Sequence, residues 1–226
     1  MNIKEQIKTL LSKLNPLAIS RRIQMRSHLI NTSPSFLCPN CIGGILFHDL
    51  GIQFRSPTVN LMMEQPDFVK FVLNTEYYLS VQPDFYSKPG YECPCAHFGD
   101  ITVHFTHYAT AEEAATKWNE RKSRIDWDNL FVFALERDGL TRKEILQLGN
   151  IRCRGLVVFT ANSYPDIPYT VQIPRYTPEG QIGNILEKSW VDDSREYEHY
   201  FDFVKWFNEA DGGNYDVRPY TKKGTK

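Results

Sequence analysis

The sequence predicts an α/β protein in which a mostly parallel, Rossmann-like sheet lies between helices as a three-layer α/β/α sandwich. Apolar, strand-like runs alternate with amphipathic, helix-like runs through the middle of the chain. Such alternation favours parallel strands joined by helical crossovers. Composition agrees, since 226 residues that are 42 % hydrophobic and 23 % charged are typical of one large globular domain.

The elements of the first half follow from apolar spacing and from the residues that interrupt it. Pro16 would end a first helix because proline cannot continue one, Gly51 stops another, and Pro66 suits a first helical turn. These signals predict helices over residues 1–15, 45–50 and 66–79, strands over 36–38 and 56–61, a short helix or the approach to a strand over 22–30, and an irregular loop rich in proline and glycine over 82–99.

The second half shows the alternation most clearly. Residues 100–106 alternate apolar and polar side chains with a period of two, which is typical of a strand. Thr110 with Glu113, and Thr141 with Glu144, have the spacing of capping boxes at helix starts. We therefore predict strands over residues 100–106, 129–135, 155–160 and 169–173, and helices over 111–124, 141–148 and 196–209.

Charge is distributed unevenly along the chain. The formal net charge is −1, but residues 1–35 carry +5 and the remaining residues carry −6. A near-neutral chain lacks the concentrated positive surface that phosphate binding needs, so we expect no nucleic-acid partner. The basic start would suit either an amphipathic helix on an anionic membrane face or a solvated helix packed on the domain. We divide the chain into a basic, helical extension (residues 1–30), a single α/β domain (31–215) and a flexible tail (216–226).

The cysteines and the beginning of the sequence indicate a compartment. The first residues lack the apolar core of a signal peptide, and no window reaches the ~18 apolar residues of a membrane span. An odd number of cysteines in a long chain argues against a disulfide framework. We therefore expect a cytoplasmic protein with reduced thiols. It would be membrane-peripheral if its basic N-terminal segment docks on the membrane face. The five are Cys38, Cys41, Cys93, Cys95 and Cys153.

The segment Asn40-Cys41-Ile42-Gly43-Gly44 is the strongest chemical feature. A cysteine at a strand-to-helix turn lies near backbone N–H groups and the positive end of a helix, which stabilise a thiolate. The glycines would let a substrate approach the backbone and would supply an oxyanion site. The ordinary alternative is a small buried hydrophobe beside a glycine turn.

Two further positions complete a candidate catalytic set. His107 lies at the end of the alternating strand and could serve as base to a thiol, although a core histidine bonded to a carbonyl is the alternative. His104 points to the opposite face and is the weaker candidate. The segment Glu136-Arg137-Asp138-Gly139 follows a buried strand, and an acid there could orient the histidine, although Asp-Gly is also a common turn dipeptide. We choose Asp138 for this role.

Metal, redox and nucleotide motifs give weaker signals. Cys38-x-x-Cys41 with Cys93-x-Cys95 could form two halves of a zinc site, but the second spacing is unusual and the gap is long. A redox Cys-x-x-Cys is a further alternative that the following glycine pair does not favour. The sequence contains no P-loop and no dinucleotide glycine motif. We expect no metal and no cofactor.

Several motifs, taken in order, resemble a bacterial family of unknown function whose members are often described as exopolysaccharide or capsular polysaccharide biosynthesis proteins. The resemblance covers roughly residues 22–210. Its motifs are Asn40-Cys41-Ile42-Gly43-Gly44, His48-Asp49-Leu50-Gly51, Ser56-Pro57-Thr58-Val59-Asn60, residues 101–108, Lys117-Trp118 with Arg121, Trp127-Asp128-Asn129 and Arg137-Asp138-Gly139. A more distant similarity to papain-like cysteine enzymes implies the pairing of Cys41 with His107.

From these observations we predict an enzyme of exopolysaccharide or capsule assembly, a transferase or hydrolase that acts on a carbohydrate or acyl substrate. Cys41 would be the nucleophile, His107 the base, and Asp138 or Asn162 the orienter. The alternatives are a nucleotide-sugar-binding transferase without a covalent intermediate and a non-catalytic assembly protein. The expected partners are a carbohydrate or activated sugar and, through the basic start, the membrane face. The predicted substrate-binding residues are Asn40, Gly43, Gly44, His48, Asn60, Tyr108, Arg137 and Asn162.

Overall fold

The computed structural model describes residues 15–222. Its helices are α1 (Pro16–His28), α2 (Ile42–Leu50), α3 (Gln65–Leu73), α4 (Thr75–Ser80), α5 (Ala111–Lys122), α6 (Arg142–Leu148), α7 (Tyr197–Tyr200) and α8 (Phe203–Glu209). Its strands are β1 (Ser35–Leu37), β2 (Asp84–Tyr86), β3 (Cys95–Phe98), β4 (Ile101–His104), β5 (Leu130–Leu135), β6 (Gly155–Thr160) and β7 (Thr170–Gln172). Among residues 15–222, no helix is both long and apolar enough to cross a membrane.

The main sheet has four parallel strands in the order β1-β5-β6-β7, which confirms the predicted α/β class. Every residue of β5 and β6 is buried, as expected for strands covered on both faces. Phe131 and Phe133 project to one face because strand side chains alternate, and there they meet the aromatic rings of α8. Helix α3 also packs against β5.

A small antiparallel sheet, β2-β3-β4, includes the strand predicted over residues 100–106 as β4, and takes β2 and β3 from residues 82–99, where the sequence predicted an irregular loop. The prolines do interrupt this region, but they fall outside the two short strands, so no ladder hydrogen bond is lost inside them. Strand β3 pairs with β4 in a register that sets Cys95 opposite His104. The prediction was wrong here because turn residues set the limits of the strands without excluding them.

Three other predicted elements differ from the structure. Residues 56–61, predicted as a strand, form a turn in which the Ser56 hydroxyl accepts from the Thr58 backbone amide. The helix predicted over 66–79 breaks at Asn74 into α3 and α4. The one predicted over 196–209 breaks before Asp202, whose carboxylate caps α8 by accepting from the Lys205 amide.

Helix α1 joins the beginning of the described chain to the domain. Asn15 caps it by accepting from the Leu17 and Ala18 amides, and Pro16 occupies its first turn. Residues 22–30 thus continue α1 to His28. The Arg21 guanidinium bonds Asp49 of α2 at 2.5 Å and Glu198 of α7 at 2.7 Å, with all three side chains largely buried. The helix predicted over residues 1–15 lies almost wholly outside the described residues.

Candidate active site

Cys41 lies at the junction between β1 and α2. The chain leaves the carboxyl end of β1, turns at Pro39 and begins α2 immediately after Cys41. The Asn40 side-chain oxygen accepts from the Ile42 amide at 3.0 Å and closes this turn. The thiol therefore lies at the positive end of a helix and at the edge of a parallel sheet where α/β proteins bind ligands.

His107 approaches the thiol from the loop between β4 and α5. Its Nε2 lies 3.1 Å from the Cys41 Sγ, although 66 residues separate the two in sequence. This is hydrogen-bond distance for a sulfur partner. With the proton on Nδ1, Nε2 accepts the S–H and is placed to take that proton. The structure brings together the two residues predicted as nucleophile and base.

Residues 58–63 hold the two loops against each other. The Thr58 hydroxyl accepts from the Cys38 amide at 3.1 Å on the β1 side. Met62 exchanges two backbone hydrogen bonds, each 2.9 Å, with His104 at the end of β4. The Met63 amide then donates to the Pro39 carbonyl. One short segment thus fixes the β1–α2 turn relative to the strand that leads into His107.

The surroundings of Cys41 determine the protonation state of its thiol before any reaction. Burial raises the pKa of the Cys41 thiol, and a hydrogen bond with the Thr106 side chain opposes this rise. A raised pKa means that the neutral thiol predominates near pH 7. Activation then needs a base that removes the proton as the sulfur attacks, and His107 has the position for that role.

The two glycines permit close packing at the start of α2. A Cβ on Gly43 would lie 2.7 Å from the Cys38 sulfur, and a Cβ on Gly44 would overlap the Asn60 side-chain oxygen. The Gly43 amide faces the Cys38 thiol, and the Ile42 amide before it donates to the Asn40 side chain. The oxyanion role predicted for the glycines therefore competes with an internal hydrogen bond at Gly43.

Asp138 and Arg137 lie in an exposed turn after β5. Asp138 has a φ of 55°, in the left-handed region, and its carboxylate pairs with the Arg137 Nε at 3.3 Å. Within residues 15–222, no hydrogen bond joins Asp138 to His107. The structure therefore places Asp138 in the turn and not in the orienting position of a triad.

The other predicted binding residues divide by location. Asn60, also in the left-handed region with a φ of 63°, lies against the start of α2, and its carbonyl accepts from the Thr106 hydroxyl at 3.5 Å. His48 is exposed in the last turn of α2, at the end of the helix opposite to Cys41. The Tyr108 hydroxyl is buried and accepts from Arg121 at 2.5 Å.

Glu136, which lies in the segment considered for an orienting acid but was not chosen over Asp138, organises the neighbouring strand ends. It follows β5 directly and is 4 % exposed. Its carboxylate accepts from the Ala161 amide at 2.7 Å, the Asn162 amide and side chain at 2.9 Å, and the Tyr164 hydroxyl at 2.5 Å. Burial, helped by this last bond, raises the pKa of Tyr164 to about 12. Asn162 thus supports the loop after β6. The sequence feature that could have identified Glu136 was an acidic residue placed directly after a buried strand.

A second thiol–imidazole pair lies in the small sheet. The Cys95 Sγ and the His104 Nδ1 are 3.1 Å apart across the β3–β4 ladder, and both residues are buried. Tyr91 stacks on the His104 ring with a centroid distance of 4.8 Å. Burial raises the pKa of Cys95 and lowers that of His104, so both groups are held neutral.

The contacts of the cysteine thiols are also relevant to the alternative of a zinc site. Cys41 faces His107, Cys95 faces His104, and the Cys38 thiol donates to the Asn40 carbonyl. Among residues 15–222, no group of three or more histidine, cysteine or acidic side chains is arranged to hold a metal ion. Three of the four thiols of the two Cys motifs thus lie in separate contacts.

The fold and site define an α/β protein that presents a thiol–imidazole pair at the carboxyl edge of its parallel sheet. Comparison with known proteins gives the family. Residues 13–208 match the family described as "Domain of unknown function (DUF1919)", and the chain belongs to it. It is also 35 % identical over 211 residues to an uncharacterized protein of Haemophilus influenzae, an alignment that covers 93 % of this chain and all of that protein.

Proposed function

We propose that the protein is a transferase or hydrolase of exopolysaccharide or capsule assembly, in which Cys41 attacks an acyl group on a carbohydrate substrate and His107 acts as general base. The supporting observation is the 3.1 Å distance between Sγ and Nε2 at the start of α2. The polysaccharide setting comes from the family resemblance of the sequence. The acyl chemistry comes from the site, since a thiol attacks carbonyl carbon readily.

The reaction proceeds in two balanced steps. His107 Nε2 takes the thiol proton as Sγ bonds to the carbonyl carbon, and the alcohol that leaves takes this proton from the imidazole. The acyl group is then a thioester on Cys41. A sugar hydroxyl or water gives its proton to His107 and attacks this carbonyl, the C–S bond breaks, and the imidazole returns the proton to sulfur.

Access distinguishes this pair from the one in the small sheet. Cys41 is half-buried and His107 is exposed, so a substrate can reach both groups. Cys95 and His104 are buried, with an aromatic ring over the imidazole. Only the Cys41 pair combines hydrogen-bond distance with an open approach.

Alkylation kinetics test the activation of the thiol. Native protein is treated with iodoacetamide across a pH series, and each cysteine is followed by peptide mass mapping. Cys93, which is also half-buried, is the internal control. We expect His107→Ala and His107→Gln to slow alkylation of Cys41 near pH 7 by about tenfold or more while leaving Cys93 unchanged. Equal rates at Cys41 in all three proteins would contradict the proposed pairing.

Acyl transfer tests the reaction itself. An activated ester such as p-nitrophenyl acetate should give a burst of nitrophenol and an acetyl adduct on Cys41. Cys41→Ser should abolish the thioester, and His107→Ala should slow acylation by about 10²–10⁴-fold. If Cys41→Ser keeps full activity on a sugar-nucleotide substrate while His107→Ala loses it, the non-covalent transferase replaces this proposal.

A further inference from the structure

Arg121 of α5 is a buried base that no carboxylate of residues 15–222 neutralises. The residue is 9 % exposed. Its Nη1 donates to the Val59 carbonyl at 2.9 Å and to the Tyr108 hydroxyl at 2.5 Å, and in this part of the chain its Nε and Nη2 have no acceptor. A buried guanidinium is ordinarily paired with an anion, because removing its charge from water is costly. The pairing of Arg121 is therefore incomplete.

Arg121 lines a cavity of about 310 Å³, which we name the Arg121 cavity. The other wall comes from residues 52–54, which follow α2. The Phe54 ring centroid lies 5.3 Å from the guanidinium carbon. Sites for small molecules typically have volumes of about 300–1,000 Å³. The Arg121 cavity thus has room for a small ligand beside the guanidinium.

The lining of the Arg121 cavity is mainly basic. Lys117 lies one turn before Arg121 on α5, and Arg124 follows just after the helix ends. Glu120 is the one acid among the described residues of the lining, and it is shared between Lys117, at 2.9 Å, and Arg124. Three bases against one acid leave a local charge of +2, and this surplus favours an anionic ligand.

We propose that the Arg121 cavity binds the phosphate group of a small ligand. A guanidinium donates two parallel hydrogen bonds to phosphate oxygens through one edge, and Nε with Nη2 is the edge that Arg121 leaves unused. Lys117 supplies a second cation at the same cavity. The phosphate would complete the pairing of Arg121, and the remaining volume would take the organic part of the ligand.

The Arg121 cavity adjoins the candidate active site. The two acceptors of Arg121 belong to segments of that site, since Val59 precedes Asn60 and Tyr108 follows His107. A bound phosphate would therefore act on the guanidinium that joins these two segments. The proposal does not depend on the chemistry at Cys41, so Cys41→Ser should bind phosphate as the unaltered protein does, whatever becomes of the proposed reaction.

Isothermal titration calorimetry of the full chain tests the site, with inorganic phosphate, pyrophosphate and glucose 1-phosphate as probes. We expect one site per chain and weaker binding at high salt. Arg121→Lys keeps the charge but loses the paired donors, and should weaken binding by about tenfold or more. Lys117→Gln changes an exposed side chain and should weaken it by about threefold. Either order of affinity supports the site: tighter glucose 1-phosphate indicates a phosphorylated sugar, and tighter inorganic phosphate or pyrophosphate a free anion.

Lys143→Gln is the matched control, because Lys143 is an exposed lysine on α6 and does not line the cavity. It should bind the probes as the unaltered protein does, and circular dichroism should show that all variants fold. If the unaltered protein binds none of the three probes, the proposal is overturned. Equal affinities for the unaltered protein, Arg121→Lys and Lys117→Gln would also overturn it, since the anion would then bind elsewhere.

Discussion

Glu136 allows the energetic role of one buried carboxylate to be predicted in detail. Its oxygens accept from two backbone amides, Ala161 and Asn162, and from two side chains, Asn162 and Tyr164. The Asn162 side-chain amide can flip and the Tyr164 hydroxyl can rotate, so each can accept a hydrogen bond instead of donating one. The backbone amides can only donate. Glu136→Gln can therefore keep every bond, whereas Glu136→Met, of similar volume, leaves both backbone amides without an acceptor.

The magnitudes follow from this difference. In Glu136→Gln the bonds persist but lose charge assistance, and we expect a loss of about 1–2 kcal/mol in the free energy of unfolding. In Glu136→Met each buried amide without a partner costs about 1–3 kcal/mol. The two amides together cost about 4 kcal/mol, so the methionine variant should be less stable than the glutamine variant by about 2–3 kcal/mol.

Urea unfolding measures this difference as a change in midpoint at constant slope. The same two substitutions at Glu179, which is exposed, are the control and should each stay within about 0.5 kcal/mol of the unaltered protein. If the methionine variant at Glu136 falls less than about 1.5 kcal/mol below the glutamine variant, water reaches the two amides and the reasoning fails.

Three further predictions concern the surroundings of the site. Gly44→Ala should lower the free energy of unfolding by about 1 kcal/mol in urea, because overpacking against the adjacent asparagine exceeds the gain in helix propensity; a stabilised variant would refute this. Thr106→Val should raise the pKa of Cys41 and slow its alkylation severalfold near pH 7, and an unchanged rate would exclude the hydrogen bond. Arg21→Met should cost about 3 kcal/mol, because Glu198 loses its guanidinium partner and Asp49 is left with the longer 3.9 Å contact to Arg22. The exposed ion pair broken by Arg142→Met should cost less than about 1 kcal/mol.

The main sheet and the central pair of the site were predictable because both follow from local patterns. Apolar runs bounded by capping signals defined β5, β6 and α6, and their alternation implied parallel pairing. Cys41 and His107 each come directly after a predicted strand, so a topology that gathers strand ends could bring them together. The sequence alone did not specify the 3.1 Å contact, which depends on the connector over residues 58–63.

Strands β2 and β3 and the role of Glu136 were not predicted, for different physical reasons. Strands β2 and β3 have three and four residues, too few for periodicity to exceed the turn signals around them. Their stability comes from pairing with β4, which is tertiary context. Glu136 follows a strand just as Asp138 does, but only the fold shows that the first carboxylate turns inward to four donors while the second stays in an exposed turn.

The two thiol–imidazole pairs show why distance alone does not define a catalytic site. Sulfur and nitrogen are 3.1 Å apart in both. In the small sheet, cross-strand register forces Cys95 and His104 together, burial disfavours an ion pair, and the contact serves packing. At the start of α2 no ladder imposes the contact. Cys41 and His107 meet there through two loops, at a helix end and with an open approach, and this difference supports the chemical role that we propose for the Cys41 pair.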